Sequence, residues 1–436
     1  MRKCVFGDTL EKKDCLFVSL FQRGFPLTSK LHTHVFENGL TLLAEPMDWL
    51  ESAAFALLTP AGCQCDPDDR LGLGAFVCEM VQRGCGDRDS RRFVADLELL
   101  GADTSASVSN VHTNFGGAVP AENLHATLAI YADVIRRPHF PAEQLEDARR
   151  LCLQDIRSLE DDFARQSMQA LRRRHYGDPY GRSSQGEWEA VESVSLDQLR
   201  EYFNNWYGPQ DAILSVAGKI DWPRLKDQVE QLFGDWKPQA RKPIQEKPPQ
   251  RGYLHIPNDS QQTHIALAYP CTPYSAPDYY QIRGAVGVLS DGMSSRLFTE
   301  VREKRGLCYT VYAFCHSLKD RAAVLSYAAT TSERAQETLD VLLAELHRLS
   351  EGVRQEELDR LKAKIKSALI MQQESSSSRS SSIAGDWHHL KRVRTIDEVR
   401  SAVDGLTCDT VNAHLAEHPP RDFTIVTVGA QELEIA

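Results

Sequence analysis

A proline- and charge-rich stretch at 236–252 (WKPQARKPIQEKPPQRG) lies near the middle of this 436-residue chain and constrains the fold more than any other feature. Its few apolar residues and its prolines mark an exposed linker. The segments on either side echo each other. Before the linker, FPAEQLEDARRLCLQDIRSLEDD (140–162) sets apolar residues at helical spacing, LDQLREYF (196–203) reads as a short helix and AILSVAGKI (212–220) as a strand. After it, VRQEELDRLKAKIKSALIMQQES (353–375) is the long helix, TIDEVRSAV (395–403) and TVNAHLAEH (410–418) are short helices, and FTIVTVGA (423–430) is the strand. Gly218 and Gly429 end the two strands. The same order twice over points to duplication. Strands and helices mix without strict alternation, so the fold class expected is α+β, with two homologous α/β-layer halves duplicated within the chain. The expected division is an N-terminal tail (1–30), a first half (31–235), the linker (236–252) and a second half (253–436). A chain of this length is too long for one simple core.

Composition narrows the class of partner. Apolar residues make up 42% and charged residues 25%, enough to bury a substantial core. The net charge of -11 and a pI near 5.7 argue against nucleic acid, which needs a basic face. No apolar run approaches about 18 residues, so no membrane-spanning helix is expected. The eleven cysteines are odd in number and scattered, and Cys63 and Cys65 lack the paired spacing of a zinc ribbon. They read as free thiols of a reducing compartment, which favours a cytoplasmic location and leaves the periplasm open. Residues 1–30 make a poor signal peptide, with acids at Asp8, Glu11 and Asp14, and read as a tail or an over-long start. The serine run SSSSRSSS (375–382) sits between helical patterns. It is either a low-complexity linker or a small-residue helix face that admits another element closely.

Two stretches carry candidate chemistry. GLGAFVCEMVQRG (72–84) places Leu73, Phe76, Val77, Met80 and Val81 at three- and four-residue steps, a buried amphipathic helix stopped by Gly84. Ala75, Cys78 and Glu79 share one face of it. GMSSRLFTEVREKRGLCYTVYA (292–313) reads as a helix that stops at a glycine and runs into a strand, with Arg302 near the helix end and Tyr309 at the strand start. Taken alone, Arg302 is a solvated ion-pair partner and Tyr309 a core residue. Both side chains are hydrogen-bond donors, and the guanidinium is rigid and planar. A third stretch, LGADTSASVSNVHTNFGGAVP (100–120), alternates small, polar and apolar residues like a half-buried strand. His112 within it reads as structural.

The run Gly72-Leu73-x-Ala75-Phe76-x-Cys78-Glu79-Met80 resembles the metal-binding helix of the pitrilysin-like zinc peptidases, the family of insulin-degrading enzyme and the mitochondrial processing peptidase. Residues 292–313 resemble the same family's second-half signature, and residues 100–120 resemble its edge strand, to which an extended substrate adds by backbone pairing, as much as they do an ordinary half-buried strand. The resemblance runs from about Leu31 to Gly429, with VFENGLTLL (35–43) similar to the opening strand and AGCQCDP (61–67) to the turn before the zinc helix. The family's inverted motif is His-x-x-Glu-His. In register, its first His falls on Ala75, its catalytic Glu on Cys78 and its second His on Glu79. The third ligand, a Glu, falls on Asp155. None of the four residues is kept, so the resemblance implies no metal in this chain.

Arg302 and Tyr309 match the pair that holds the substrate carbonyl. The implied molecule is the non-metallated subunit of a heterodimeric peptidase. Zinc would lie on a homologous partner subunit, the two chains would enclose a chamber, and short or unfolded peptides would be the substrates. An alternative is an inactive structural or peptide-binding homologue that pairs with itself, as the core subunits of the mitochondrial respiratory complex exemplify. A third is a peptidase with unusual ligands, Cys78, Glu79 and Asp155 forming a residual metal site.

Overall fold

A computed structural model describes residues 30–239 and 243–435. The tail reading falls almost wholly outside the described residues, as does 240–242 of the linker. Two sheets form the frame. The first has six strands in the order His32–Val35, Thr41–Pro46, Ile213–Gly218, Ser52–Thr59, Thr113–Pro120, Asp103–Val108. The second has five, in the order Cys308–Ser317, Ala322–Thr331, Gln262–Cys271, Thr424–Gly429, Tyr253–Pro257.

Leaving aside the first hairpin strand, the two sheets repeat strand for strand. An opening strand (Thr41–Pro46 or Tyr253–Pro257) lies parallel to the last strand of its sheet (Ile213–Gly218 or Thr424–Gly429). That last strand runs antiparallel to Ser52–Thr59 or Gln262–Cys271. A third antiparallel strand follows, then an edge strand, Asp103–Val108 in one sheet and Cys308–Ser317 in the other. The central strands are buried at nearly every position, because helices cover them on both faces.

Two sequence readings change. VFENGLTLL is not one strand. Phe36–Gly39 turns the chain, with Gly39 at φ +94, and the flanking strands pair as a hairpin. Residues 100–120 are likewise two strands, the edge Asp103–Val108 and the inner Thr113–Pro120. In the first, Asn38-Gly39 is a turn signal that the single-strand reading passed over; in the second, the bend at 109–112 (SNVH) carries neither Asn-Gly nor Asp-Gly, so the polarity pattern runs on through it.

The linker separates the sheets but not the helices that cover them. The helix Phe163–Tyr176, from before the linker, lays Met168, Leu171 and Tyr176 against Ala266, Ala268, Leu325 and Val426 of the second sheet. The helix Ser376–Leu390, from after it, lays Ile383 and Ala384 against Leu43 and Ile213 of the first. The serine run is therefore a helix face of small residues. Ser376 and Ser380 are buried, and Ser215 Oγ donates to the Ser380 carbonyl at 2.7 Å. A salt bridge seals the exchange, with Arg379 Nη2 2.5 Å from Glu45 Oε2 and both side chains under a tenth exposed. No described helix is long and apolar enough to cross a membrane.

Candidate functional site

The helix Leu73–Met80 begins at Gly72, whose φ of +103 and lack of a side chain leave its first N–H groups without a local cap. Asp66 supplies the cap from the preceding turn. Its carboxylate oxygens accept from the Gly72 and Gly74 N–H groups at 2.7 and 2.8 Å. Burial pushes the Asp66 carboxyl up to about 7, against the pull of those two N–H groups and of Arg182. Gly72 is required for a second reason: a Cβ there would sit 2.7 Å from the Gln185 carbonyl oxygen and 2.9 Å from Gly186 Cα.

Phe76, Val77 and Met80 anchor this helix in the first core. Its other face opens on a cavity of about 270 Å³ that Ala75, Cys78, Glu79 and Asp155 all line. Asp155 arrives from the helix Leu145–Glu160. The edge strand Asp103–Val108 forms another wall through Ala106 and Ser107. The four positions singled out in the sequence thus meet in one cavity beside a strand edge.

Their donor set does not fit a catalytic zinc. Ala75 offers no ligand atom. Cys78 is buried, and burial first, then the Glu79 carboxylate and Cys152, pushes its thiol up to about 12, so it stays protonated at neutral pH. Glu79 is held by Arg83, whose Nη2 and Nε lie 2.7 and 3.1 Å from one carboxylate oxygen. Only the exposed Asp155 remains, where a catalytic zinc requires three protein ligands and an open position.

Arg302 and Tyr309 are brought together elsewhere and do not line this cavity. The segment Phe298–Glu303 is a π-helical turn, in which the Lys304 N–H reaches back five residues to the Thr299 carbonyl. Gly306, at φ +58, ends it and lets the chain enter the edge strand Cys308–Ser317. The Arg302 guanidinium carbon then lies 4.7 Å from the ring centroids of both Phe298 and Tyr309. Tyr309 is 82% exposed. Glu300 is saturated by its neighbours, at 2.7 Å from Lys304 and 2.8 Å from Arg305, and these cations hold its carboxyl below the usual range. Among the described residues Arg302 has no carboxylate partner and the Tyr309 hydroxyl no hydrogen bond. Neither the ion-pair role nor the core role that the two residues take when read singly is what the structure shows. The sequence missed the aromatic surroundings: Tyr312 and Phe314 are also exposed on this strand, and their 309/312/314 spacing is only partly period two because the pairing slips between Cys308 and Thr310.

His112 is buried and packs edge-on to His388, with centroids 4.5 Å apart. No disulfide joins the nine described cysteines to one another.

Comparison with known proteins gives this geometry a family. A family model described as Insulinase (Peptidase family M16) matches residues 47–184, and one described as Peptidase M16 inactive domain matches residues 193–365. The chain is 25% identical over 397 residues to an uncharacterized zinc protease, YmxG, of Bacillus subtilis, covering 90% of this chain and 96% of that protein. A Rickettsia felis protein, also an uncharacterized zinc protease, is 25% identical over 86% of this chain and 92% of its own length. Among solved structures, a peptidase M16 inactive domain from Pseudomonas fluorescens superposes with a TM-score of 0.83 at 21% identity, covering 93% of this chain and 99% of that one. A protease from Helicobacter pylori gives 0.84 at 19% identity, over 92% and 100% of the two chains. The two family models follow one another along the chain and together take in more than half of the sequence, so this chain belongs to peptidase family M16, the insulinase or pitrilysin-like family.

Proposed function

We propose that this chain is the non-metallated subunit of a heterodimeric M16 peptidase and lends Arg302 and Tyr309 to a site that a zinc-bearing homologous subunit completes. The observation that carries the reading is the pair itself. A guanidinium and a phenol lie side by side at the start of an edge strand, with no partner among the described residues, while every other charged side chain of that helical turn but Glu303 is paired. Donors left unspent and pre-aligned are what a developing oxyanion requires. The Phe298 and Tyr309 rings flank the Arg302 guanidinium and hold it in place. The cavity at Cys78 and Glu79 cannot supply the metal, so metal, base and water belong to the partner, in keeping with relatives named zinc proteases.

The substrate class is a short or unfolded peptide. Each sheet ends in an edge strand beside the candidate residues, and an extended chain adds to such an edge through its backbone. The test is co-purification from the native host, followed by a fluorogenic-peptide assay on the complex and on this chain alone. Activity is expected only in the complex. Tyr309→Phe should lower kcat by about 10²–10³ with little change in KM, and Arg302→Ala should do at least as much. Full turnover in both variants would refute the shared site. A self-paired chain that binds peptides without cleaving them would establish the structural alternative instead.

A further inference from the structure

A second cluster of metal-ligating side chains, sharing no residue with either candidate region, lies on helices of the second half. The helix Tyr279–Ser290 packs on the helix Cys408–Glu417, and Leu406 and Val411 lie over Gly284. Asp278 stands at the start of the first helix, where an Asp side chain ordinarily caps the N-terminal N–H groups. It makes no such bond. Its Oδ2 lies instead 2.9 Å from Nδ1 of His414, which is 5% exposed, and the other ring nitrogen of His414 has no partner among the described residues. His418 is one turn further along, its ring centroid 4.9 Å from that of His414.

We propose that Asp278, His414 and His418 bind one divalent transition-metal ion of the zinc class. One donor atom from each residue lies within 4.8 Å of the other two. Ligands at 2.0–2.2 Å in a tetrahedral shell are about 3.3 Å apart, so small side-chain rotations close the shell. Two imidazoles and one carboxylate suit zinc, nickel or cobalt and not magnesium, which demands six oxygens. The i,i+4 histidine pair offers two ligands from one helix face. Both histidines lie at the helix C-terminus, where the aligned peptide dipoles favour a cation. A plain hydrogen bond between the buried His414 and the part-exposed Asp278 accounts for that contact, but it leaves the second nitrogen of His414 buried without a partner among the described residues and gives His418 no part. The metal would clamp the two helices that carry the second sheet.

Isothermal titration of the chelator-stripped full chain with zinc tests this. One equivalent should bind with saturation, magnesium should not compete, and the melting temperature should rise on loading. His418→Ala, at an exposed position that leaves the Asp278–His414 contact in place, should weaken binding at least about tenfold, as should Asp278→Asn. A Glu79→Gln, Asp155→Asn double variant should bind as the parent does. Absence of saturable binding, equal affinity in His418→Ala, or loss of binding in the Glu79/Asp155 variant would each overturn the site; the last would also end the claim that the Cys78 cavity holds no metal.

Discussion

Replacing Arg379 by methionine probes how the two halves are locked together. The guanidinium gives two hydrogen bonds to one oxygen of Glu45, from Nε at 2.9 Å and Nη2 at 2.5 Å, across 334 residues of sequence. The pair ties the serine-rich helix of the second half to the strand Thr41–Pro46 of the first sheet. Both side chains are under a tenth exposed, so solvent screens little of the interaction. Removing one member of such a pair costs about 3–5 kcal/mol, chiefly because the other charge stays buried, while replacing both with apolar residues of similar size is near neutral. Arg379→Met should therefore destabilise by about 3–5 kcal/mol, and Glu45→Leu, Arg379→Met together by far less. An unfolding entropy of about 2.1 cal/mol/K per residue gives about 0.9 kcal/mol/K for a chain of this length. If the interlocked halves unfold as one unit, the single variant loses roughly 3–6 °C. A half unfolding alone would lose about twice that. Calorimetry and urea titration of both variants and the parent read the result. A single variant within about 1 kcal/mol of the parent, or a double variant as unstable as the single, would refute the claim that this pair seals the exchange.

Further predictions concern acid, the motif helix and its thiol. Burial holds the imidazoles of His175 and His316 down to about 4, so the unfolded chain takes these protons first; their stability is complete above about pH 6.5 and is lost as pH falls toward 4. Asp66 and Asp386, pushed up by burial to about 7 and about 6, act in the opposite sense, so the readout is a difference between variants. Between pH 7 and 5 the parent should lose about 2 kcal/mol more than His175→Gln in urea titrations, and equal losses would remove His175 from the account. Gly72→Ala should lower stability by about 2 kcal/mol or more, since its methyl meets backbone at 2.7 Å and its φ is +103; an unchanged thermal melt would contradict this. Cys78 should resist alkylation in the native chain at neutral pH and react once denatured, as mass spectrometry would show, whereas rapid native labelling would mean an accessible thiolate.

The duplication was legible because it is written in long periodic elements: the helices Leu145–Glu160 and Gln355–Gln372 and the strands Ile213–Gly218 and Thr424–Gly429 lie within the stretches that the sequence marks for them. The convergence of Ala75, Cys78 and Glu79 followed from i, i+3, i+4 spacing alone. Asp155 joined them only through the family register, since nothing local says that its helix crosses the first one. The exchange of helices Phe163–Tyr176 and Ser376–Leu390 left no local trace. An amphipathic helix shows which face it buries and not which sheet it buries it against. The same limit hid the Asp278, His414, His418 cluster, whose members stand 136 and 140 positions apart along the chain.

The strand-for-strand repeat gives the two candidate regions a common origin in the architecture. The edge strand Asp103–Val108, which walls the Cys78 cavity, occupies the place in its sheet that Cys308–Ser317, which begins beside Arg302, occupies in the other. One fold unit presents a helix face stripped of ligands next to an edge; its copy presents unspent donors at the equivalent edge. Within a single chain these surfaces do not combine, since neither Arg302 nor Tyr309 reaches the cavity. In the heterodimer proposed above, the partner would bring its own helix face, with ligands intact, to the Tyr309 edge, and its own edge to the stripped helix. That arrangement needs donors only where the metal is. On the proposed reading, substitutions at Arg302 and Tyr309 would cost turnover, whereas those at Ala75, Cys78, Glu79 and Asp155 would be felt only through packing.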